Sequence, residues 1–142
     1  MLCEGGFPLM ETDEENFRIL ENCARALRKG GTFVFTTLNA LYPLFHSVKD
    51  FLNRNERSTS TGKLTFDWMT LREHSVLRMK DDSGKAKVLR CNERYYMPSE
   101  ISWQLRSLGF GKVEIAGCMA GEYDRKRRLT PEEFEMLVIA KS

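Results

Sequence analysis

The segment Thr32–Leu38, TFVFTTL, constrains the fold of this chain more than any other part of its sequence. It is rich in β-branched and aromatic residues, and apolar side chains occur on both of its alternating faces. This composition predicts a central strand covered on two faces, and therefore a layered fold with helices packed on a sheet. A chain of 142 residues is expected to form one such domain.

A helix is predicted before this strand. Thr12 and Glu15 have the spacing of a capping box, with acidic residues in the first turn that favour the helix dipole. Apolar residues then recur at steps of three and four, at Phe17, Leu20, Cys23, Ala24 and Leu27. Lys29 and Gly30 mark the end of this helix, whose apolar stripe is expected to pack on the sheet.

The region after Asn39 contains a second helical stripe and then two extended segments. The stripe comprises Leu44, Phe45, Val48, Phe51 and Leu52, and the polar stretch 53–62 that follows it is typical of a loop. Segments 64–79 and 86–97 are separated by the turn-forming residues 81–84. This arrangement predicts an antiparallel hairpin.

The last third of the chain predicts a helix and two strands. Pro98 suits a first helical turn, and Gly109 suits the end of that helix. Residues 112–118 and 134–141 are typical of strands, separated by a charged loop over 121–131. The order of elements predicts an α/β fold, a class that by itself names no function.

Charge and hydropathy argue against nucleic-acid and membrane partners. Lys and Arg number 22 against 20 Asp and Glu, so the net charge of +2 creates no general field toward polyanions. The basic run 125–128 has acidic residues close behind it, which favours a solvated loop. No apolar run approaches the roughly 20 residues of a membrane span, and the first residues lack the basic region of a secretion signal. We expect a cytoplasmic protein.

The cysteines and histidines do not predict a metal site. None of the cysteines forms a CxxC motif, and buried thiols are expected at Cys3, Cys23, Cys91 and Cys118. The two histidines, His46 and His74, lie far from each other and from the cysteines in sequence, so no metal is expected. Each histidine is a weak candidate for a catalytic base, with an ordinary surface histidine as the alternative.

Three stretches resemble class I S-adenosylmethionine-dependent methyltransferases. They are CEGGFPLMETDEENFRILENCARALRKGGTFVFTT, RYYMPSEISWQLRSLGFGKVEIAG and FEMLVIAKS. In that order, they are similar to the family's segment from the fourth to the fifth strand, to its following helix and sixth strand, and to its seventh strand. The resemblance implies the C-terminal half of a Rossmann-like sheet with an inserted antiparallel hairpin. Residues 1–142 would then be one partial domain, with 64–97 as a cover over the substrate.

The resemblance also implies a cofactor and a set of site residues. S-adenosylmethionine would face Cys3, Glu4, Gly5 and Gly6, although a plain strand-to-helix turn would explain the glycines equally well. Aromatic residues would line the pocket of a small-molecule acceptor, with packing within the hairpin as the alternative. The members of this set are Phe7, Tyr42, Phe45, Trp68, Tyr95 and Tyr96.

The family's glycine-rich cofactor loop has no counterpart in these residues, since GxGxxG is absent. The strand at Thr32 would therefore lack neighbours along one edge. A second copy of the chain, a separate N-terminal half, or a front half lost from this sequence could occupy that edge. The expected function is a methyltransferase portion that is weak or inactive in isolation. The alternative is a non-catalytic interaction module that dimerises through its open sheet edge.

Overall fold

The computed structural model describes residues 7, 9–50, 60–119 and 121–142. Residues 48–50 are helical in addition to the named elements. The helices are α1 (Asp13–Ala26), α2 (Tyr42–Phe45) and α3 (Pro98–Ser107). The strands are β1 (Thr32–Leu38), β2 (Ser60–Asp67), β3 (Arg72–Lys80), β4 (Ala86–Arg94), β5 (Lys112–Cys118) and β6 (Glu135–Lys141).

The strands form two small sheets, in the orders β1-β6-β5 and β2-β3-β4. Every pairing within them is antiparallel. In the first sheet, Val138 of the central strand β6 lies opposite Phe35 on one side and Ile115 on the other. The fold is therefore mixed α/β, as the order of elements predicts.

Helices α1 and α3 cover one face of the first sheet. Their buried residues Leu20, Ile101 and Leu105 pack against a row of side chains from β1 and β6: Phe33, Phe35, Met136, Val138 and Ala140. The opposite face carries a smaller cluster of Ala116, Cys118 and Leu137, with Val34 and Ile139 at its margin. Both faces of β1 thus contribute to packing, as TFVFTTL predicts. The predicted central position is not observed, because β1 is a terminal strand of the described sheet and β6 lies at its centre.

Helix α1 begins at the predicted capping box. Thr12 Oγ1 accepts a hydrogen bond from the Glu15 N–H at 3.2 Å, and Glu15 Oε2 accepts one from the Thr12 N–H at 3.2 Å. The regular helix ends at Ala26, slightly before the predicted Lys29–Gly30 stop, and Gly30 adopts φ 74° in the turn toward β1. The helix is therefore specified locally at its start and by a glycine turn beyond its end.

The prediction of one continuous second helix is wrong, because the observed helix is interrupted. Helix α2 ends at Phe45, and His46 returns to extended geometry. Leu44 and Phe45 are 48% and 70% exposed, whereas Val48 is buried. The apolar spacing did not reveal this break, because apolar residues before and after it keep the helical steps of three and four. Phe51 and Leu52 lie outside the described residues.

The predicted hairpin is a three-stranded sheet. Segment 64–79 contains a reversal between β2 and β3, where Asp67 Oδ1 accepts a hydrogen bond from the Met69 N–H at 2.9 Å and Leu71 adopts φ 51°. This turn has neither glycine nor proline, so the sequence offered only one turn-forming residue, Asp67, to mark it. The other turn is confirmed: Asp81 Oδ1 accepts from the Lys85 N–H at 3.0 Å, and Gly84 has φ 81°.

Candidate functional site

The two sheets meet at the carboxyl end of β1. The Tyr96 N–H donates to the Leu38 carbonyl at 3.0 Å, and the Ala40 N–H donates to the Tyr96 carbonyl at 3.1 Å. These bonds form a parallel bridge between Asn39 and Tyr96. The junction therefore joins the carboxyl end of β1 to the segment that follows β4.

Asn39 joins the same strand end to the loop before β6. It is fully buried, and its Nδ2 donates to the carbonyls of Glu133 at 2.8 Å and Thr130 at 3.2 Å. Its Oδ1 accepts from the Leu41 N–H at 3.1 Å. A single side-chain amide therefore joins two segments, the end of β1 and the loop before β6, at the rim of the junction.

An aromatic cluster fills the space between the sheets. Phe134 contacts Tyr42 edge-on at a centroid distance of 5.3 Å and Tyr95 at 6.0 Å. Phe66 of β2 meets Tyr95 edge-on at 5.4 Å. Tyr42, Tyr95 and Phe134 are each less than a tenth exposed, so the cluster is a shared core of the two sheets.

A buried carboxyl group lies against this aromatic cluster. Glu73 is 1% exposed, and its Oε2 accepts a hydrogen bond from the Tyr95 hydroxyl at 2.8 Å. Burial raises the pKa of Glu73, against the opposing effect of the Tyr95 hydrogen bond. Burial, together with the Glu73 charge, likewise raises the pKa of Tyr95. The pair is buried away from solvent, and the second carboxylate oxygen of Glu73, Oε1, has no hydrogen-bond partner among the described residues.

A network of two buried arginines ties the second sheet to both helices. Arg72 Nη2 lies 2.6 Å from Asp13 Oδ1, and Arg94 Nε lies 3.3 Å from Asp13 Oδ2. Arg94 Nη2 also lies 2.7 Å from Glu100 Oε1, and its guanidinium lies 4.6 Å from the centre of the Tyr96 ring. Helix α1, helix α3 and strands β3 and β4 are thus held at one point.

The predicted cofactor residues Cys3, Glu4, Gly5 and Gly6 lie outside the described residues. The described residue next to them, Phe7, is 2% exposed and packs in the first core. Its ring stacks on Tyr96 at 5.4 Å and meets Phe35 edge-on at 5.5 Å. Further along, the Met10 carbonyl accepts a hydrogen bond from Arg72 Nη1 at 2.9 Å.

The six predicted acceptor-binding aromatics occupy three different environments. Phe7 and Tyr96 lie in the first core, and Tyr42 and Tyr95 lie in the aromatic cluster between the sheets. Phe45 and Trp68 are 70% and 56% exposed. The structure therefore brings four of the six close to the junction in two pairs, and leaves two at the surface.

The candidate bases His46 and His74 lie in separate places. The His46 ring stacks on Tyr42 at 4.6 Å, and its Nε2 lies 3.3 Å from Glu132 Oε2. His74 is exposed on β3, opposite Thr65 and Asn92. Of the two, His46 borders the aromatic cluster.

Three charged residues at notable positions were not singled out from the sequence. They are the buried Glu73, and Lys63 and Arg90 in a surface groove of about 500 Å³. The signal for the groove was present in β3, where Arg72, His74, Arg78 and Lys80 occupy alternate positions. Alternation places such residues on one face of a strand, but only the pairing shows which face is buried.

The described residues contain neither a metal-binding cluster nor a membrane-spanning helix. In the described ranges, no group of three or more His, Cys, Asp or Glu side chains could hold a metal ion. Nor does that part of the chain contain a helix with the length and apolar character needed to span a membrane. Cys23, Cys91 and Cys118 form no disulfide with one another.

Solved methyltransferase structures contain this fold as part of a longer chain. The CcbJ methyltransferase from Streptomyces caelestis superposes with a TM-score of 0.69 at 16% identity, covering 99% of this chain and 58% of its own. An S-adenosylmethionine-dependent methyltransferase from Clostridium acetobutylicum gives a TM-score of 0.71 at 14% identity, covering 99% of this chain and 57% of its own. The fold is therefore class I methyltransferase-like, and the chain spans less than three fifths of either structure. No family model and no curated protein matches it.

Proposed function

We propose that these residues are the C-terminal portion of a class I S-adenosylmethionine-dependent methyltransferase with a small-molecule acceptor. The observation that supports this proposal is the similarity of nearly the whole chain, 99%, to part of two such enzymes. The sheet order β1-β6-β5 with antiparallel β6 would be the carboxyl-terminal side of a larger sheet. The remaining strands would come from residues outside this sequence.

S-adenosylmethionine would supply an electrophilic methyl group on a positively charged sulfur. Cys3, Glu4, Gly5 and Gly6 would hold it, by resemblance to the family. The described residues fit this role in one respect: Phe7 is fixed by Tyr96 and Phe35, so the chain directly after Gly6 is anchored in the core. An anchored segment can present its backbone to a ligand without a large ordering cost.

The chain's own residues would mainly orient and enclose the acceptor. Displacement at a methyl group depends on alignment and proximity, and a base is needed only when the attacking atom carries a proton. Tyr42 and Tyr95 are buried in the aromatic cluster and would support the acceptor pocket from behind, with the Glu73 hydrogen bond holding Tyr95 in place. His46, stacked on Tyr42, is the better placed of the two histidines to accept a proton.

The first test is calorimetry of the 142-residue chain with S-adenosylmethionine. We expect no micromolar binding, because much of the cofactor site would lie outside these residues. Micromolar binding by a monomer would contradict the proposal that further chain is required. The coding sequence upstream of Met1 provides an independent test. We expect it to encode a strand followed by a glycine-rich loop, and the absence of that loop would argue against the proposal.

The second test uses the protein extended by that preceding frame. We expect micromolar binding of the cofactor, weakened several-fold by Phe7→Leu, which loosens the anchor of the segment. Phe33→Leu is the matched control, since Phe33 lies in the same core but belongs to β1. Equal effects of the two substitutions would show that Phe7 acts only through stability.

The alternative function is a non-catalytic interaction module that pairs through a sheet edge. Strand β1 is a terminal strand of the described sheet, which favours this alternative. Light scattering separates the two. An obligate dimer in which even the extended protein has no cofactor affinity would support the module, and a cofactor-binding monomer would exclude it.

A further inference from the structure

The second sheet has one face that is strongly cationic. Residues directly opposite each other in an antiparallel pair lie on the same face. By this rule Lys63, Val76 and Arg90 form one row across the sheet, and Thr65, His74 and Asn92 form the next row. Asp67, Arg72 and Arg94 form a third row on the same face. The other face, with Glu73 and Phe66, packs into the aromatic cluster.

The first two rows form the floor of a groove of about 500 Å³. Glu11, in the segment that leads into α1, lines its side. This volume lies within the range of small-molecule sites and is far larger than a single water or ion needs. Its charged groups are Lys63, Arg90, the titratable His74 and one carboxylate, that of Glu11.

The two permanent cations of the groove, Lys63 and Arg90, outnumber its single carboxylate, that of Glu11. Arg72 and Arg94, on the same face, pair with Asp13, whereas Lys63 and Arg90 form no ion pair within the part of the chain that the structure describes. They lie two strand spacings apart, about 9.6 Å, on either side of Val76. Both side chains are long enough to reach one anion held between them.

A neutral donor in the groove is already oriented. Asn92 Oδ1 accepts a hydrogen bond from Arg72 Nη1 at 3.2 Å, and Arg72 is itself held by Asp13 at 2.6 Å. The remaining polar group of that amide, its NH₂, is therefore the one available for a ligand. The Thr65 hydroxyl lies opposite His74 in the same row.

We propose that this groove binds a small molecule through an oxyanion, either a phosphate or a carboxylate. Lys63 and Arg90 supply charge-assisted hydrogen bonds from two sides, and Asn92 supplies a neutral one. The rest of the groove takes the body of the ligand, because one oxyanion fills only a small part of about 500 Å³. The proposal is independent of methyl transfer, since it depends only on this face of the second sheet.

The test is a titration of the isotope-labelled 142-residue chain, followed by the NMR shifts of its backbone amides. Inorganic phosphate, acetate and sodium chloride are added separately at matched ionic strength. We expect saturable shifts in rows 63–76–90 and 65–74–92 with phosphate or acetate but not with chloride, and the stronger of the two anions identifies the oxyanion. Equal shifts with all three salts, or no saturation, would overturn the proposal.

Substitutions of the two groove cations test whether the groove is the binding site. The double substitution Lys63→Gln and Arg90→Gln should weaken binding at least tenfold, whereas Lys126→Gln, which removes one exposed charge in a distant loop, should change it less than twofold. Both affected residues are exposed, so folding should be retained, and far-UV circular dichroism checks this. The two single substitutions measure the contribution of each cation to binding separately. Binding that survives in the folded double variant would exclude the groove as the site.

Discussion

At the level of single residues, the most unusual group is the Glu73 carboxyl. It is buried at the junction of the two sheets, with one hydrogen bond from Tyr95 at 2.8 Å. Taking a carboxylate out of water is costly unless hydrogen bonds compensate it, which is why its pKa rises above its usual value of 4.5. Such a group stabilises the fold best when it is protonated.

This property predicts a specific pH dependence. Because the folded state binds the Glu73 proton more tightly than the unfolded chain, its contribution to stability falls as the pH rises from about 4.5 through the raised pKa. Glu73→Gln keeps an acceptor for Tyr95 but cannot ionise. The variant should therefore gain stability relative to the parent protein as the pH rises from 4 to 7.

Urea unfolding at a series of pH values measures this difference. Taking the parent-minus-variant difference removes the contribution of Asp67, Asp81 and Glu114, whose lowered pKa values act in the opposite direction. Glu14→Gln makes the same chemical change at an exposed position and is the control. A pH-independent difference for Glu73→Gln would show that the carboxyl keeps an ordinary pKa in the fold.

At the level of elements, the buried guanidinium of Arg94 connects β4 to α1 and α3. Its side chain is 7% exposed, while those of its partners Asp13 and Glu100 are 50% and 37% exposed. It also donates to the Tyr95 carbonyl. A planar group with five donors can serve all these acceptors at once, and an ammonium group cannot.

Arg94→Lys should therefore destabilise the protein by about 1–2 kcal/mol. This is less than the ~3–5 kcal/mol for breaking a fully buried pair, because water can solvate Asp13 and Glu100. The control is Arg125→Lys: Arg125 binds both oxygens of Glu114 but is 63% exposed, so its loss should stay below about 0.5 kcal/mol. Chemical denaturation of both variants measures the difference; equal losses would refute the role of burial.

The accuracy of the element predictions follows from how local each signal is. Helix α1 and strand β1 were predictable because a capping box and a run of β-branched and aromatic residues act within a few residues. The β2–β3 reversal was missed because Asp67 is its only typical turn residue. The positive φ in this turn belongs to Leu71, whereas a positive φ is usually predicted from a glycine. The end of α2 was missed because apolar periodicity continues through it.

At the level of the whole molecule, the two sheets share one core. Leu38 and Phe134 from the side of the first sheet pack with Tyr95, Leu64 and Phe66 from the side of the second. The bridge between Asn39 and Tyr96 adds backbone hydrogen bonds to this packing. Among the described residues, the second sheet has no core cluster apart from this shared one, which favours cooperative unfolding with the first sheet.

Native-state hydrogen exchange tests this cooperativity. The slowest amides of the central strands β3 and β6 should open with the same free energy, to within about 1 kcal/mol, and with the same dependence on denaturant. Phe134→Leu, in the shared core, should lower both values together. Opening of β3 at a clearly lower free energy than β6 would show that the second sheet is a separate folding unit.

Most of the elements and the α/β class were predictable from the sequence, because they depend on spacing and capping over short stretches. The likeness to methyltransferases came from the resemblance of three stretches to that family. Which charged residues meet depends on the tertiary structure. Arg94 contacts Asp13 across 81 positions, and Tyr95 contacts Glu73 across 22. The facing of Lys63 and Arg90 into one groove likewise depends on strand register, since a shift by one residue would turn each side chain to the opposite face of the sheet.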